Sequence, residues 1–212
     1  MNHGSDKMKI VIIKYNAGNT KSVEHALHRL DIQPIITDDI EQIQAADKII
    51  FPGVGHAATT MQYLKEKKLD KVIKDLKQPV LGICLGQQLM CAHSEEGNVD
   101  CLNIFPVQVK KFSQFPSPLG EGLGMRLKIP QMGWNNLYDL GSKLFQNINE
   151  QSFVYFVHSY YCEMSDFNIA SCDYILPFSA ALQKDNFYAV QFHPEKSADI
   201  GQEIIRNFAD FC

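Results

Sequence analysis

Three apolar runs rich in β-branched residues, KIVII at 9–13, KIIF at 48–51 and PVLGI at 79–83, recur through the first half of the chain with amphipathic segments between them. Each run is apolar at consecutive positions, so both faces of the resulting strand must be covered. Val23, Ala26, Leu27 and Leu30 follow the first run at helical spacing, and a helical segment is expected from about 57 to 76. Buried strands alternating with helices define an α/β fold with a central, mostly parallel sheet flanked by helices.

The second half changes character. VQVKKF (107–112), FVYFV (153–157), a segment near 168–172, FSAALQ (178–183) and FYAVQF (187–192) are strand-like with few helices between them, so additional antiparallel strands are expected there. Ile200, Ile204, Ile205, Phe208 and Phe211 form a helical stripe, which reads as a packed terminal helix. Residues 1–7 are polar and precede the first apolar run, which marks them as an extension or tag. Residues 8–212 then make a single domain, a length able to bury one sizeable core.

Composition closes several functional classes. The formal net charge is −4 with 21% charged residues, which offers no broad electrostatic case for binding nucleic acid or an anionic membrane. No apolar run reaches the roughly 18 residues of a membrane span, and MNHGSDK lacks the apolar core of a signal peptide. Cysteines at 84, 91, 101, 162, 172 and 212 form no C-x-x-C pair, which fits free thiols in a reducing, cytoplasmic setting better than a disulfide framework or a zinc site.

Function must therefore be sought in local sites, and open α/β sheets gather these beyond the carboxyl ends of their strands. The loop after residue 13, PGVG at 52–55, and Cys84 all fall there. Gly82, Cys84 and Gly86 make a G-x-C-x-G frame, the thiol counterpart of the nucleophile elbow, in which a tight strand-to-helix turn pushes the middle side chain out of the sheet. A cysteine left inside a strand would be a small hydrophobe; the flanking glycines argue for the turn. Such a turn places the Leu85 amide at a helix start, where partial positive charge favours a thiolate and a developing oxyanion.

A cysteine nucleophile needs a base, and the base needs an orienting group. FHPE at 192–195 supplies both, because His193 and Glu195 stand two apart on an expected extended segment and Pro194 favours that conformation at His193. His56 is the rival base, but no carboxylate lies within a few residues to orient it. PGVG has the glycine content for backbone amides to approach a ligand closely. Gln88, one helical turn after Cys84, shares its face, whereas Gln87 does not.

GICLGQQ, PGVG and FHPE, in this order, resemble the class I glutamine amidotransferases, and the resemblance runs from about Met8 to the end. YNAGNTKSVEHAL, SEEGNVDCL (94–102), PQMGWN (130–135), YFVHSYY (155–161) and FHPEKSADIGQEIIRNF are similar to one branch of that family, the glutaminase subunits of imidazole glycerol phosphate synthase. The resemblance implies a flavodoxin-like fold and hydrolysis of L-glutamine to L-glutamate and ammonia. Cys84 would be the nucleophile and His193, oriented by Glu195, the acid–base, with an oxyanion hole from Leu85 and Val54 in a loop that reorients on activation. Glutamine would be read by Gly53, Gly55, Gln88, Glu96, Ser159 and Tyr160, with no cofactor and no metal. The implied partner is a HisF-type (β/α)8 cyclase barrel in a heterodimer, which uses the ammonia to turn PRFAR into imidazole glycerol phosphate and AICAR for L-histidine. Its docking face would include Asn19, Gln131, Trp134 and Lys196; Trp134 is the only tryptophan, and many relatives carry histidine where Gln131 stands.

Three other readings share these residues: a paralogue serving another synthase in a surface-sugar pathway, a free-standing hydrolase of γ-glutamyl or peptide substrates, and a binding protein with an inactive triad. The first differs only in its partner, the second predicts full activity alone, and the third is the weakest because all three triad residues are present.

Overall fold

A computed structural model describes residues 8–15, 20–113 and 128–212. The expected extension at 1–7, and Asn19, lie outside the described residues. The chain runs β1 (Ile10–Ile13), α1 (Thr20–His28), β2 (Ile35–Thr37), α2 (Ile40–Gln44), β3 (Lys48–Gly53), α3 (Ala57–Glu66), α4 (Leu69–Asp75), β4 (Val80–Cys84) and α5 (Leu85–Met90). It continues through β5 (His93–Ser94), β6 (Val99–Asp100), β7 (Gln108–Lys111), β8 (Gln131–Asn136), β9 (Phe153–His158) and β10 (Tyr160–Cys162). The last elements are β11 (Asn168–Asp173), β12 (Pro177–Lys184), β13 (Phe187–Val190) and α6 (Ala198–Phe211).

The main sheet has seven strands in the order β11-β12-β13-β4-β3-β1-β2. All neighbours from β13 to β2 pair parallel, while β12 runs antiparallel to both β13 and β11. The apolar runs are consecutive for the expected reason. Ile10 and Ile12 pack with Val23 and Leu27 of α1 and Ile204 and Phe208 of α6 on one face. Val11 and Ile13 pack on the other with Leu64 of α3, Ile73 of α4 and Leu89 of α5. Each such side chain, fully buried, contributes about 1.5–3 kcal/mol.

Several expectations change in detail. The segment 57–76 is two helices, because Lys68 takes φ 60 between them. The short edge strand β2, with Ile35 40% exposed, had too little apolar pattern to stand out. PGVG is not all loop: Pro52 and Gly53 finish β3. FYAVQF stops being a strand at Val190. In the terminal stripe Ile204, Ile205 and Phe208 are buried, but Phe211 is exposed.

Two smaller sheets accompany the large one. One has the order β10-β7-β5-β6, and the other is the antiparallel pair β8-β9. The chain passes from β9 to β10 through Ser159 alone, so this residue is the corner where it changes sheets.

Candidate active site

Parallel strands put their carboxyl ends on one side, and three adjacent strands use that side here. Gly53 of β3 pairs with Cys84 of β4, and Val190 of β13 pairs with Ile83. The residues that follow these ends therefore converge on one cavity of about 340 Å³.

Cys84 closes β4 with φ 54 and ψ −109, and α5 starts at the next residue. The positive φ thus sits on the cysteine itself, while the flanking glycines serve close approach. A Cβ on Gly86 would collide with the Phe51 carbonyl, and one on Gly82 would lie 2.9 Å from Met90 Sδ. Leu85 opens α5, so its N–H has no intrahelical acceptor. The Cys84 thiol is 8% exposed and faces the cavity, with Val157 O at 3.8 Å and Gln191 Nε2 at 3.7 Å from Sγ.

His193 Nδ1 stands 2.8 Å from Glu195 Oε1. The geometry differs from two residues on an extended strand: His193 is extended at φ −101, ψ 93, but Pro194–Lys196 form a 3-10 turn that folds Glu195 back under the ring. Both side chains are buried, at 4% and 2% exposure, and Glu195 Oε2 has no hydrogen-bond partner. The carboxylate charge is thus left for the imidazole. Burial works against a charged ring, yet hydrogen bonds to Cys84 and Glu195 and the charges of both lift the His193 pKa to about 10. A ring that holds its proton at neutral pH, paired as imidazolium with the Cys84 sulfur as thiolate, is suited to acyl transfer: the thiolate attacks, and the ring protonates the leaving group.

Most of the other expected site residues reach this cavity. Val54, Gly55, Leu85 and Gln88 line one side, and Glu96, Ser159, Tyr160 and Lys196 contribute elsewhere. Gln88 gives its amide hydrogens to Tyr160 O at 3.0 Å and Gln191 Oε1 at 3.0 Å. Gln87 turns away to Ser179 O. Glu96 accepts from the Ala57 N–H through Oε2 at 2.7 Å.

Two assignments change. Gly53 is not part of the cavity wall; it packs behind the elbow, where a Cβ would meet Gly86 N, Leu85 Cβ and the Tyr15 hydroxyl. Gln131, expected on an outward docking face, is buried: it is 3% exposed, with its carboxamide 2.8 Å from His158 Nε2. The alternation of β8 explains this, since Gln131 points inward while Met132 and Trp134, 65% and 53% exposed, point outward. The rival base His56 is the N-cap residue of α3 and lies off the cavity wall.

Four supporting residues escaped sequence reasoning. Gln191 links Gln88 to the thiol. Ser197 donates to His193 O at 2.7 Å and accepts from Tyr155 N at 2.9 Å, tying the FHPE turn to β9. His158, in the cavity lining, bonds the Tyr160 carbonyl through Nδ1 at 2.7 Å; burial outweighs that bond and, with the nearby His193, lowers its pKa to about 4 and keeps it neutral. Tyr15 donates its hydroxyl to Pro52 O, and burial, followed by the charge of Cys84, pushes its pKa up. Only Ser197, a polar residue just ahead of a helical stripe, carried a local signal. Among the described residues no cluster of His, Cys, Asp and Glu is arranged to hold a metal.

Fold and site together set a cysteine, a histidine and a glutamate beside one cavity at the carboxyl end of an α/β sheet, and comparison with known proteins gives the class. Residues 11–211 match the family model for glutamine amidotransferase class-I, and the chain belongs to that family. The curated relatives place it in one branch, the HisH subunits of imidazole glycerol phosphate synthase. The subunit from Bacteroides thetaiotaomicron is 58% identical over 203 residues, covering 96% of this chain and all of the relative. That from Pasteurella multocida is 46% identical, covering 95% and 97%, and that from Escherichia coli K12 is 43% identical, covering 96% and 100%. Among solved structures, a putative GMP synthase protein from Thermoplasma acidophilum superposes with TM-score 0.70 at 21% identity, over 95% of this chain and 92% of that one. PurLQS from Thermotoga maritima gives 0.68 at 14% identity over 96% and 98%. At those identities the likeness concerns the fold.

Proposed function

We propose that this chain is the glutaminase subunit of an imidazole glycerol phosphate synthase, hydrolysing L-glutamine and passing the ammonia to a HisF-type (β/α)8 barrel. The carrying observation is the convergence of Cys84, His193 and Glu195, from two distant parts of the sequence, beside one cavity.

In this reading Cys84 Sγ attacks the carboxamide carbon and the carbonyl electrons move onto oxygen. The N–H of Leu85 and that of Val54 receive the oxyanion. Collapse of the tetrahedral adduct expels the amine, which takes its proton from His193 and leaves as ammonia. A γ-glutamyl thioester remains on Cys84. Water, losing a proton to His193, then attacks the thioester and releases glutamate, which regenerates the starting pair. Glu195 holds the ring in the tautomer required and stabilises its charge. The cavity suits the substrate, since Glu96 supplies a carboxylate for the α-ammonium group and Ser159 and Tyr160 supply polar groups for the α-carboxylate.

Trp134 and Met132 project from β8 close to this site, and Trp134 packs edge-on against Tyr155 at 6.0 Å. An exposed aromatic anchor of this kind suits a partner interface. Lys196, exposed at the cavity rim, extends the proposed docking face. A cytoplasmic setting fits the six free cysteines, and no helix among the described residues is long and apolar enough to cross a membrane.

The test is glutamate release from glutamine by the chain alone, with the barrel added, and with barrel and ribonucleotide ligand together, using Cys84→Ala as blank. A large rise that needs both additions and vanishes in the variant is expected. Full activity without the barrel would point instead to a free-standing hydrolase.

A further inference from the structure

We propose that Glu96 positions the loop at residues 54–56 as well as facing the glutamine cavity, so that one carboxylate links substrate occupancy to the placement of the Val54 oxyanion donor. The inference rests on the glutaminase reading above and deepens it.

Loop 54–56 is held at both ends by side chains from elsewhere. At its start, the Tyr15 hydroxyl binds Pro52 O inside the core. At its end, α3 begins at Ala57, and His56, its N-cap residue, makes no capping bond with its own side chain. The cap comes from Glu96, whose Oε2 accepts the Ala57 N–H at 2.7 Å. Ser94 Oγ in turn accepts the Glu96 N–H at 3.1 Å and fixes the direction of approach.

A second observation places the same turn against the loop. Gly97 has φ +79, and a Cβ there would stand 2.7 Å from His56 Cε1 and 2.6 Å from Ala58 Cβ. The turn carrying Glu96 therefore presses directly on the residues that end the loop. Between the anchors, Val54 is 36% exposed and Gly55 takes φ 121, and both line the cavity that Glu96 also lines. The Ala57 N–H engages Oε2 alone, so the same carboxylate can meet an ammonium group entering this cavity while it holds the start of α3.

A carboxamide at 96 can still accept the Ala57 N–H but offers no charge to an α-ammonium, whereas alanine does neither. Glutamate release by the complex with a HisF-type barrel separates the two roles. Glu96→Gln is expected to raise KM about tenfold or more while leaving kcat within about threefold. Glu96→Ala is expected to raise KM similarly and also to lower kcat by about 10- to 100-fold, the scale of displacing a catalytic group by about 1 Å. Gly97→Ala, which keeps the carboxylate but forces the turn off His56, is expected to lower kcat with the smaller change in KM, and it decides the matter if Glu96→Ala does not fold.

Equal kcat for Glu96→Gln and Glu96→Ala would overturn the positioning role and leave the glutaminase reading intact. So would an unchanged kcat in Gly97→Ala. No glutamate from the unaltered complex would overturn the glutaminase reading, and this inference with it.

Discussion

Cys84 occupies a backbone region that a residue with a Cβ enters at a cost of about 1–3 kcal/mol, and the surrounding contacts hold it there. Gly tolerates that region and Ala does not. Cys84→Gly and Cys84→Ala, both inactive, should therefore differ in stability by about 1 kcal/mol in favour of glycine, against the usual order, as read from denaturant midpoints. His158 gives a second test. Its folded pKa, about 4, lies below the ordinary 6.5, so the unfolded ring takes up a proton first as the pH falls. Its contribution is complete above about pH 6.5 and is lost as the pH drops toward 4, an effect of order 2–3 kcal/mol. Unfolding curves at pH 7.5 and 4.5 should show this loss in the unaltered chain and a smaller one in His158→Gln. The juxtaposition of Cys84, His193 and Glu195 was legible because these residues sit in short local frames. Gln191, Tyr15 and His158 were not, because their partners lie 107, 37 and 27 residues away in sequence.

At the scale of elements, the elbow works because α5 lies against β3 with no room for a side chain between them. Gly86→Ala would drive a methyl group into the Phe51 carbonyl, which belongs to a central strand and cannot yield. A loss of about 2–4 kcal/mol is expected, visible as a fall in Tm. Strands buried on both faces were easy to recognise, since consecutive apolar residues have few other uses. β8 was not recognised as a strand, because QMGWNN lacks β-branched residues and its alternation places the large apolar side chains outward. The same alternation places Gln131, expected to face outward, in the interior. The break between α3 and α4 also left no pattern, as lysine is at home in a helix and only the backbone at Lys68 departs from it.

For the whole molecule, the outward face of β8 and β9 carries Trp134, Met132 and Phe153, each more than half exposed. Trp134→Ala should leave Tm nearly unchanged and weaken association with a HisF-type barrel by about tenfold or more, measured as Kd by calorimetry. A comparable loss of Tm would show instead that the ring supports the fold through Tyr155. The order of strands in the sheet was not legible, because it depends on which buried strands pair, and KIVII, KIIF and PVLGI are interchangeable in that respect. The pairing nevertheless determines the site, by placing Gly53 opposite Cys84 and Val190 opposite Ile83. Geometry set in this way is quantised: a strand is in register or is displaced by a whole residue, about 3.3 Å, and nothing between satisfies the ladder. Successive mutations can thus alter loops, partners and surfaces by small degrees, while the spacing of Cys84, His193 and the residues after Gly53 has no gradual path along which to drift.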